Sequence, residues 1–283
     1  MLRHQLSALA LNIVAFARLS SGADLDALTW PPVLPGGERF VSIETNDFLT
    51  PHENLLDGVA IAKTAPRVDL IYYPEQKYLG SPWSVWGDGS MVGDKYYSAI
   101  GDHSAPAGDA FVYEYDPASH TFRTLCSTAS TIKLPEGHYK PAKIHSRVEM
   151  GRDGWLYFAT HRGSTRVTID KYHYKGDWIL RTHPKTGKTE IVAHGPVPKN
   201  CIPTSVLDPE RMIFYGGTSA GDYKDKTVTF FAYDLVNRKV LHTATNGPAR
   251  CMILAKSTGR VYYMDEANDR LMRYDPASGT PLE

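Results

Sequence analysis

From residue 81 onward, short stretches of alternating apolar and polar residues follow one another, each closed by a turn signal. Alternation with a period of two marks half-buried strands, and Gly, Pro, Asn or Asp mark the turns between them. The pattern predicts a first set of strands over 83–86, 95–103, 110–115 and 121–127, with Asp88-Gly89 as a turn. A second set covers 143–149, 155–161, 177–182 and 190–193, with turns at Arg152-Asp153-Gly154 and Lys185-Thr186-Gly187. A third begins at Ile202 and continues over 213–215, 227–233 and 240–244. A fourth covers 252–255, 261–264 and 271–274, with the chain ending at Pro281-Leu282-Glu283 where its last strand is due.

Each set places a related tripeptide after its third strand: Tyr115-Asp116-Pro117, Thr182-His183-Pro184, Tyr233-Asp234-Leu235 and Tyr274-Asp275-Pro276. The later intervals approach the roughly 40–50 residues of a propeller blade, and the longer first one carries a polar insertion at 164–176. The expected fold is all-β, a β-propeller of four-stranded blades. Weaker strands at 40–43 and 68–73 suggest an N-terminal blade, giving about 4–5 blades where a ring usually has 4–8. An unclosed ring leaves an inter-blade face exposed, so we read the chain as part of a six- or seven-bladed ring.

Composition adds a location and removes some partners. Met1-Leu2-Arg3-His4 is basic, 6–16 is mostly apolar, and Ser20-Ser21-Gly22-Ala23 suits cleavage. This is an export-signal pattern, so 1–23 is expected to be a signal peptide, 24–283 the propeller domain, and the protein secreted. The apolar run falls short of the about 20 residues that span a bilayer, so no membrane partner is expected. Thirty-one basic and 31 acidic residues cancel, which excludes a general basic surface for nucleic acid and leaves room for a local cationic site. A monomer is expected. Cys126, Cys201 and Cys251 are odd in number. Cys201 and Cys251 hold similar places in successive units and are expected to be buried free thiols, since Cys packs well as a small apolar residue.

Candidate chemistry lies on the inner edges of the first two sets. Gly101-Asp102-His103 ends one second strand, His161-Arg162-Gly163 ends the other, and Lys143, His145 and Arg147 alternate along a first strand. Residues two apart share a strand face, and a Lys-His-Arg face is unlike the small apolar residues of an inner-strand core. His serves as a base near neutral pH, and Arg grips a carboxylate with a two-pronged fork. His103, His145, Arg147, His161 and Arg162 are therefore the candidate catalytic residues, with Trp83, Lys143 and Tyr174 as candidate substrate contacts. The same side chains suit β-elimination from a uronate sugar. His103, His145 and His161 are also a candidate ligand set for a divalent cation in the central channel, although no close-spacing motif supports a metal site. Taken singly, each His is a structural residue more often than a catalytic one.

The segments Lys143-Ile144-His145-Ser146-Arg147 and Asp153-Gly154-Trp155-Leu156-Tyr157-Phe158-Ala159-Thr160-His161, with Gly101-Asp102-His103-Ser104, carry a resemblance. The chain resembles the seven-bladed propeller polysaccharide lyases, above all the fungal rhamnose–glucuronate lyase family and more distantly the oligogalacturonate lyases. The resemblance spans 80–276. It implies a secreted lyase of a uronate-containing oligo- or polysaccharide, with release of rhamnose from rhamnosyl-glucuronate ends. It further implies His103 in acid–base work, Arg147 or Arg162 at the carboxylate, and about 4–5 of seven blades present. Two other readings stand beside it: a non-catalytic propeller that binds a glycan or partner, and a lactonase-like metal-dependent hydrolase. The last needs channel carboxylates, of which Glu149, Asp265 and Glu266 are the sparse candidates.

Overall fold

A computed structural model describes residues 34–74, 83–265, 267–278 and 280–282. The expected signal peptide, 1–23, lies outside the described residues. The chain divides into two compact units, 1–79 and 80–283. In the first, β1 (Phe40–Glu44) pairs antiparallel with β2 (Arg67–Ile71), Phe40 opposite Ile71. The expected N-terminal blade is thus, among the described residues, a two-stranded sheet.

The second unit is four antiparallel sheets in chain order. The first sheet holds β3 (Trp83–Ser84), β4 (Ser90–Val92), β5 (Lys95–Asp102), β6 (Ala110–Asp116) and β7 (Thr121–Ser127). The next holds β8 (Lys143–Ile144), β9 (Glu149–Met150), β10 (Leu156–His161), β11 (Trp178–Thr182) and β12 (Thr189–His194). The third is β13 (Asn200–Asp208), β14 (Ile213–Ala220), β15 (Thr229–Asp234) and β16 (Lys239–Thr245). The last is β17 (Met252–Ala255), β18 (Arg260–Asp265), β19 (Arg270–Asp275) and β20 (Thr280–Leu282). Within each sheet the strands pair in simple meander order, so each is a propeller blade. The strand due at the end of the fourth set is present, with Pro281 opposite Tyr274.

The recurring tripeptides close the hairpin to the outermost strand. Asp116, Asp234 and Asp275 each accept the N–H two residues on, from Ala118 at 3.0 Å, Val236 at 2.9 Å and Ala277 at 3.0 Å. An aspartate bonding its own turn in this way is the reason the residue recurs. A left-handed residue follows at His120, Gly187 and Arg238 (φ 53°, 68° and 52°), which lets each loop curl back into its strand.

The apolar side chains lie between blades. Tyr97, Ala99 and Val112 of the first blade pack on Ile144, Leu156, Phe158 and Leu180 of the second. Tyr157, Ala159 and Ile179 of the second meet Ile202, Leu207, Phe214 and Phe231 of the third. Val206, Tyr215 and Phe230 meet Met252, Val261, Tyr263 and Tyr274 of the fourth. These sheet-on-sheet layers supply the main drive for folding.

One departure from regular pairing decides where chemistry can sit. The inner strands of the first two blades are broken in the middle, the first around the expected turn at Asp88-Gly89 and the second within the expected strand 143–149: β3 and β4 pair with opposite ends of β5, and β8 and β9 with opposite ends of β10. In the second gap Ser146 replaces the lost ladder. Its Oγ accepts the Ala159 N–H at 2.6 Å and donates to the Ala159 carbonyl at 3.0 Å. The third inner strand slips register between Cys201 and Thr204, around Pro203, which has no N–H to give. Gly87 makes the gaps fit together, since a Cβ there would lie 2.3 Å from the Ser146 carbonyl oxygen.

Candidate active site

The broken inner strands turn side chains inward that a continuous ladder would hold in the sheet. Trp86 sits in the first gap and His145 in the second, Pro203 at the slip in β13, and Arg250 just before β17. With His103 and His161 at the ends of β5 and β10, they line a cavity of about 720 Å³. That is room for a ligand of sugar to oligosaccharide size. Lys143, Arg162, Arg166 and Ser219 add to its polar wall, and among the described residues no carboxylate lines it.

The second strand of the first blade brings His103 to Lys143. Gly101 permits this, because a Cβ there would fall 2.7 Å from the Lys143 Cα. The His103 Nδ1 and Lys143 Nζ lie 2.9 Å apart. Burial, with the Arg162 and Arg250 charges, pushes the Lys143 ammonium down to about 8. Burial and Lys143 lower His103 as well. When Lys143 is charged it donates to Nδ1, so the His103 proton is on Nε2. When Lys143 is neutral it can accept from Nδ1–H, which leaves a lone pair on Nε2. The pair therefore has a proton-donating and a proton-accepting form, selected by one proton on Lys143.

Trp86 stacks on His145 and meets His103 at a tilt, with ring centroids at 5.2 and 4.6 Å, and Lys143 Nζ lies 5.2 Å from its ring centre. His145 in turn stacks on His161 at 4.9 Å. The His145 Nδ1 faces the Arg250 guanidinium at 3.1 Å and the Pro203 carbonyl at 3.2 Å, and one nitrogen cannot serve both at once. Burial, then Lys143 and Arg250, lowers His145 to about 4. His161 donates from Nδ1 to the Arg162 carbonyl at 2.8 Å, and burial beside Lys143 and His145 holds it neutral, far below the usual histidine range. Arg162 is anchored on the third blade, donating from Nη1 to Cys201 Sγ, to Ser219 Oγ at 3.3 Å and to the Ala220 carbonyl at 3.0 Å.

The structure gathers five of the expected residues, His103, Lys143, His145, His161 and Arg162, around one cavity. Three others lie elsewhere. Arg147 pairs with Asp88 at 3.0 Å and lines an adjoining compartment together with His145. Trp83 packs on Phe111, because it lies three residues from Trp86 along the same run and so on the other strand face. Tyr174 is a core residue: it is 2 % exposed, its hydroxyl donates to Asp177 at 3.2 Å, and its ring meets Tyr139 edge-on. Arg250 and Trp86 are the cavity-lining positions that strand periodicity does not single out. Arg250 lies ahead of β17 as His145 lies ahead of β9 two blades earlier, which is the one signal the sequence carries for it. The 164–176 insertion is not a solvated loop throughout: Val167, Thr168 and Tyr174 are buried, while Arg166 reaches the cavity wall.

The three imidazoles are not arranged to hold a divalent cation: His145 lies face to face with Trp86 and with His161, and the charges of Lys143, Arg162 and Arg250 around them would repel a cation. Among the described residues no group of three or more His, Cys, Asp or Glu side chains is arranged to hold a metal ion. All three cysteines are free; Cys201 is buried as expected, Cys251 is exposed against expectation, and Cys126 is buried. No described helix is long and apolar enough to cross a membrane.

No protein-family model and no curated protein matches the sequence. Among solved structures, the chain is similar to an oligogalacturonate lyase in complex with manganese, at 10% identity and a TM-score of 0.48, over 77% of this chain and 58% of that one. It is similar to the β-propeller domain of the trilobed protease from Pyrococcus furiosus, at 8% identity and a TM-score of 0.40, over 71% and 56%. A putative 6-phosphogluconolactonase from Bacteroides uniformis follows at 13% identity and a TM-score of 0.38, over 77% and 73%. The chain spans under two thirds of the length of the first two.

Proposed function

We propose that the cavity binds the carboxylate of a uronate-containing glycan and breaks the neighbouring glycosidic bond by β-elimination. The observation that carries this reading is the lining itself, with Lys143, Arg162, Arg166, Arg250 and three histidines and, among the described residues, no carboxylate. Such a wall selects an anion, and the fork of a guanidinium suits a planar carboxylate. Arg250 and Arg162 would draw charge from the bound carboxylate and acidify the proton on the adjacent carbon. His103, with Nε2 unprotonated, takes that proton. The electron pair becomes the carbon–carbon double bond, the carbon–oxygen bond one position further breaks, and the leaving oxygen takes up a proton. Release of rhamnose from rhamnosyl-glucuronate ends, by a secreted protein, is the specific form that the family resemblance implies.

A second reading, a non-catalytic glycan-binding propeller, is favoured by His145 and His161, which burial makes weak bases suited to recognition. One variant separates the two. With His103→Ala, the lyase reading expects turnover to fall by about 10²–10⁴-fold, the usual worth of an acid–base group, while uronate binding measured by calorimetry is kept. Unchanged turnover would remove His103 from the chemistry, and absence of turnover in the unaltered protein would favour recognition alone.

A further inference from the structure

A second cavity, of about 330 Å³, shares no lining residue with the first. It lies at one end of the second blade, where β10 stops at His161, β11 starts at Trp178 and β12 stops at His194. The connection between the first two blades adds Leu134, Pro135, His138 and Tyr139. The 164–176 insertion adds His173 and Lys175, so the segment whose Arg166 reaches the main cavity also builds this one.

Its walls are made of rings. Trp178 and His194 are opposite each other in the register of β11 and β12, and their rings stack at 4.2 Å, 6° from parallel. His138 and His173 stack at 4.2 Å as well, joining the connection to the insertion. Among the described lining residues Lys175 is the one ammonium, and there is no carboxylate. These walls are held from behind. The Tyr139 hydroxyl donates to Asp177 at 2.9 Å, and the Tyr139 N–H to the Tyr172 carbonyl at 2.8 Å. The Trp178 N–H donates to Thr160 Oγ1 at 3.0 Å. His173 has φ 56°, a left-handed backbone that a residue other than glycine keeps only where its surroundings fix it.

The lining narrows what can bind. A volume of about 330 Å³ is at the small end for ligand cavities, enough for one ring with a short arm. A sugar would need an open indole face, and Trp178 is 3 % exposed. Stacking occupies ring faces and leaves the nitrogens of His138 and His173, which lie on ring edges, for other partners. With the Lys175 ammonium they suit an anion, while a flat aromatic ring extends the stack.

We infer that this cavity is a second binding site, for a small planar aromatic acid whose ring packs on the His138–His173 stack and whose carboxylate meets Lys175. The inference stands on these residues and is independent of the uronate reading of the main cavity.

Calorimetric titration of the whole chain with trans-cinnamate, and with cinnamamide as its uncharged counterpart, tests it, with the histidine ring resonances followed by NMR. Cinnamate is expected to bind about 10-fold tighter than the amide, the worth of one charge-assisted hydrogen bond. It should shift the rings of His138 and His173 and leave those of His103 and His161 in place. Lys175→Met, at an exposed position, should bring cinnamate down to the level of the amide and leave the amide unaffected. His138→Ala should weaken both probes alike, by about 3–10-fold, the worth of one ring contact. Absence of cinnamate binding, binding that shifts His103 and His161 in place of His138 and His173, or binding that Lys175→Met leaves intact would each overturn the site.

Discussion

The 2.9 Å contact between Lys143 and His103 is where single atoms set the behaviour of the site. Lys143 is lowered to about 8, so it loses its proton as the pH rises past that value. Only then can His103 carry its proton on Nδ1 and offer Nε2 as a base. If His103 is the base, kcat/KM should rise between about pH 7 and 9, and Lys143→Met should abolish that rise. A profile flat through this window in the unaltered protein would separate the pair from the rate-limiting proton transfer. Asp177 shows the opposite kind of residue. It is fully buried and accepts from Thr160 at 2.7 Å, Tyr139 at 2.9 Å and Tyr174 at 3.2 Å. Burial outweighs these bonds and raises its carboxyl to about 6. Because the folded value lies above the unfolded one, the native state holds the proton more tightly, and this group's contribution to stability declines as the pH rises from about 4 to 6. Asp177→Ala strands three hydroxyls and should cost at least about 3 kcal/mol in urea unfolding. A loss under 1 kcal/mol, on the order of an exposed substitution, would mean the network is not load-sharing. Residue identity alone did not foretell these placements. Tyr174 sits in a polar insertion, and nothing in its neighbours signals that Asp177 holds it in the core. Trp83 and Trp86 are equally aromatic, and alternation does not say which face of a short strand is the inner one.

At the scale of elements, the strands were legible because alternation and turn chemistry agree in every blade. The break in the second inner strand was not, because 143–149 alternates as a continuous strand would. There a side chain, Ser146, stands in for backbone donors and acceptors, and the pattern of apolar positions carries no trace of that exchange. The exchange has a measurable weight. Ser146→Ala leaves the Ala159 N–H and carbonyl without their partner in a dry setting, which should cost about 1–3 kcal/mol. It should also loosen His145, seen as a change in its ring resonances by NMR. Unchanged stability and unchanged resonances would show that the gap closes without Ser146. Arg250 escaped sequence reading for a related reason: it lies on a connection with no periodicity, and its partner His145 is far away in the chain.

For the molecule as a whole, the repeat in the sequence anticipated sheets that stack through three apolar layers, all between residues 97 and 274. Every residue lining the main cavity also belongs to the second compact unit. A polypeptide of residues 80–283 should therefore melt cooperatively by circular dichroism and bind uronate as the full chain does. A non-cooperative melt would show that residues before 80 are needed for the blades to hold together. The number of blades in the expected ring does not follow from alternation, since each blade reads alike whatever the ring size. The fourth blade leaves Ile253 and Leu271 exposed, 70 % and 62 %.

The central claim is that the cationic cavity turns over uronate glycans by β-elimination. Ultraviolet absorbance during incubation with a panel of uronate glycans, including an arabinogalactan bearing rhamnosyl-glucuronate ends, tests it directly, because elimination creates a conjugated unsaturated uronate where the substrate has none. A rising absorbance that is lost in His103→Ala is the expected result. Folded protein that binds these glycans and yields no rise on any of them would contradict the claim.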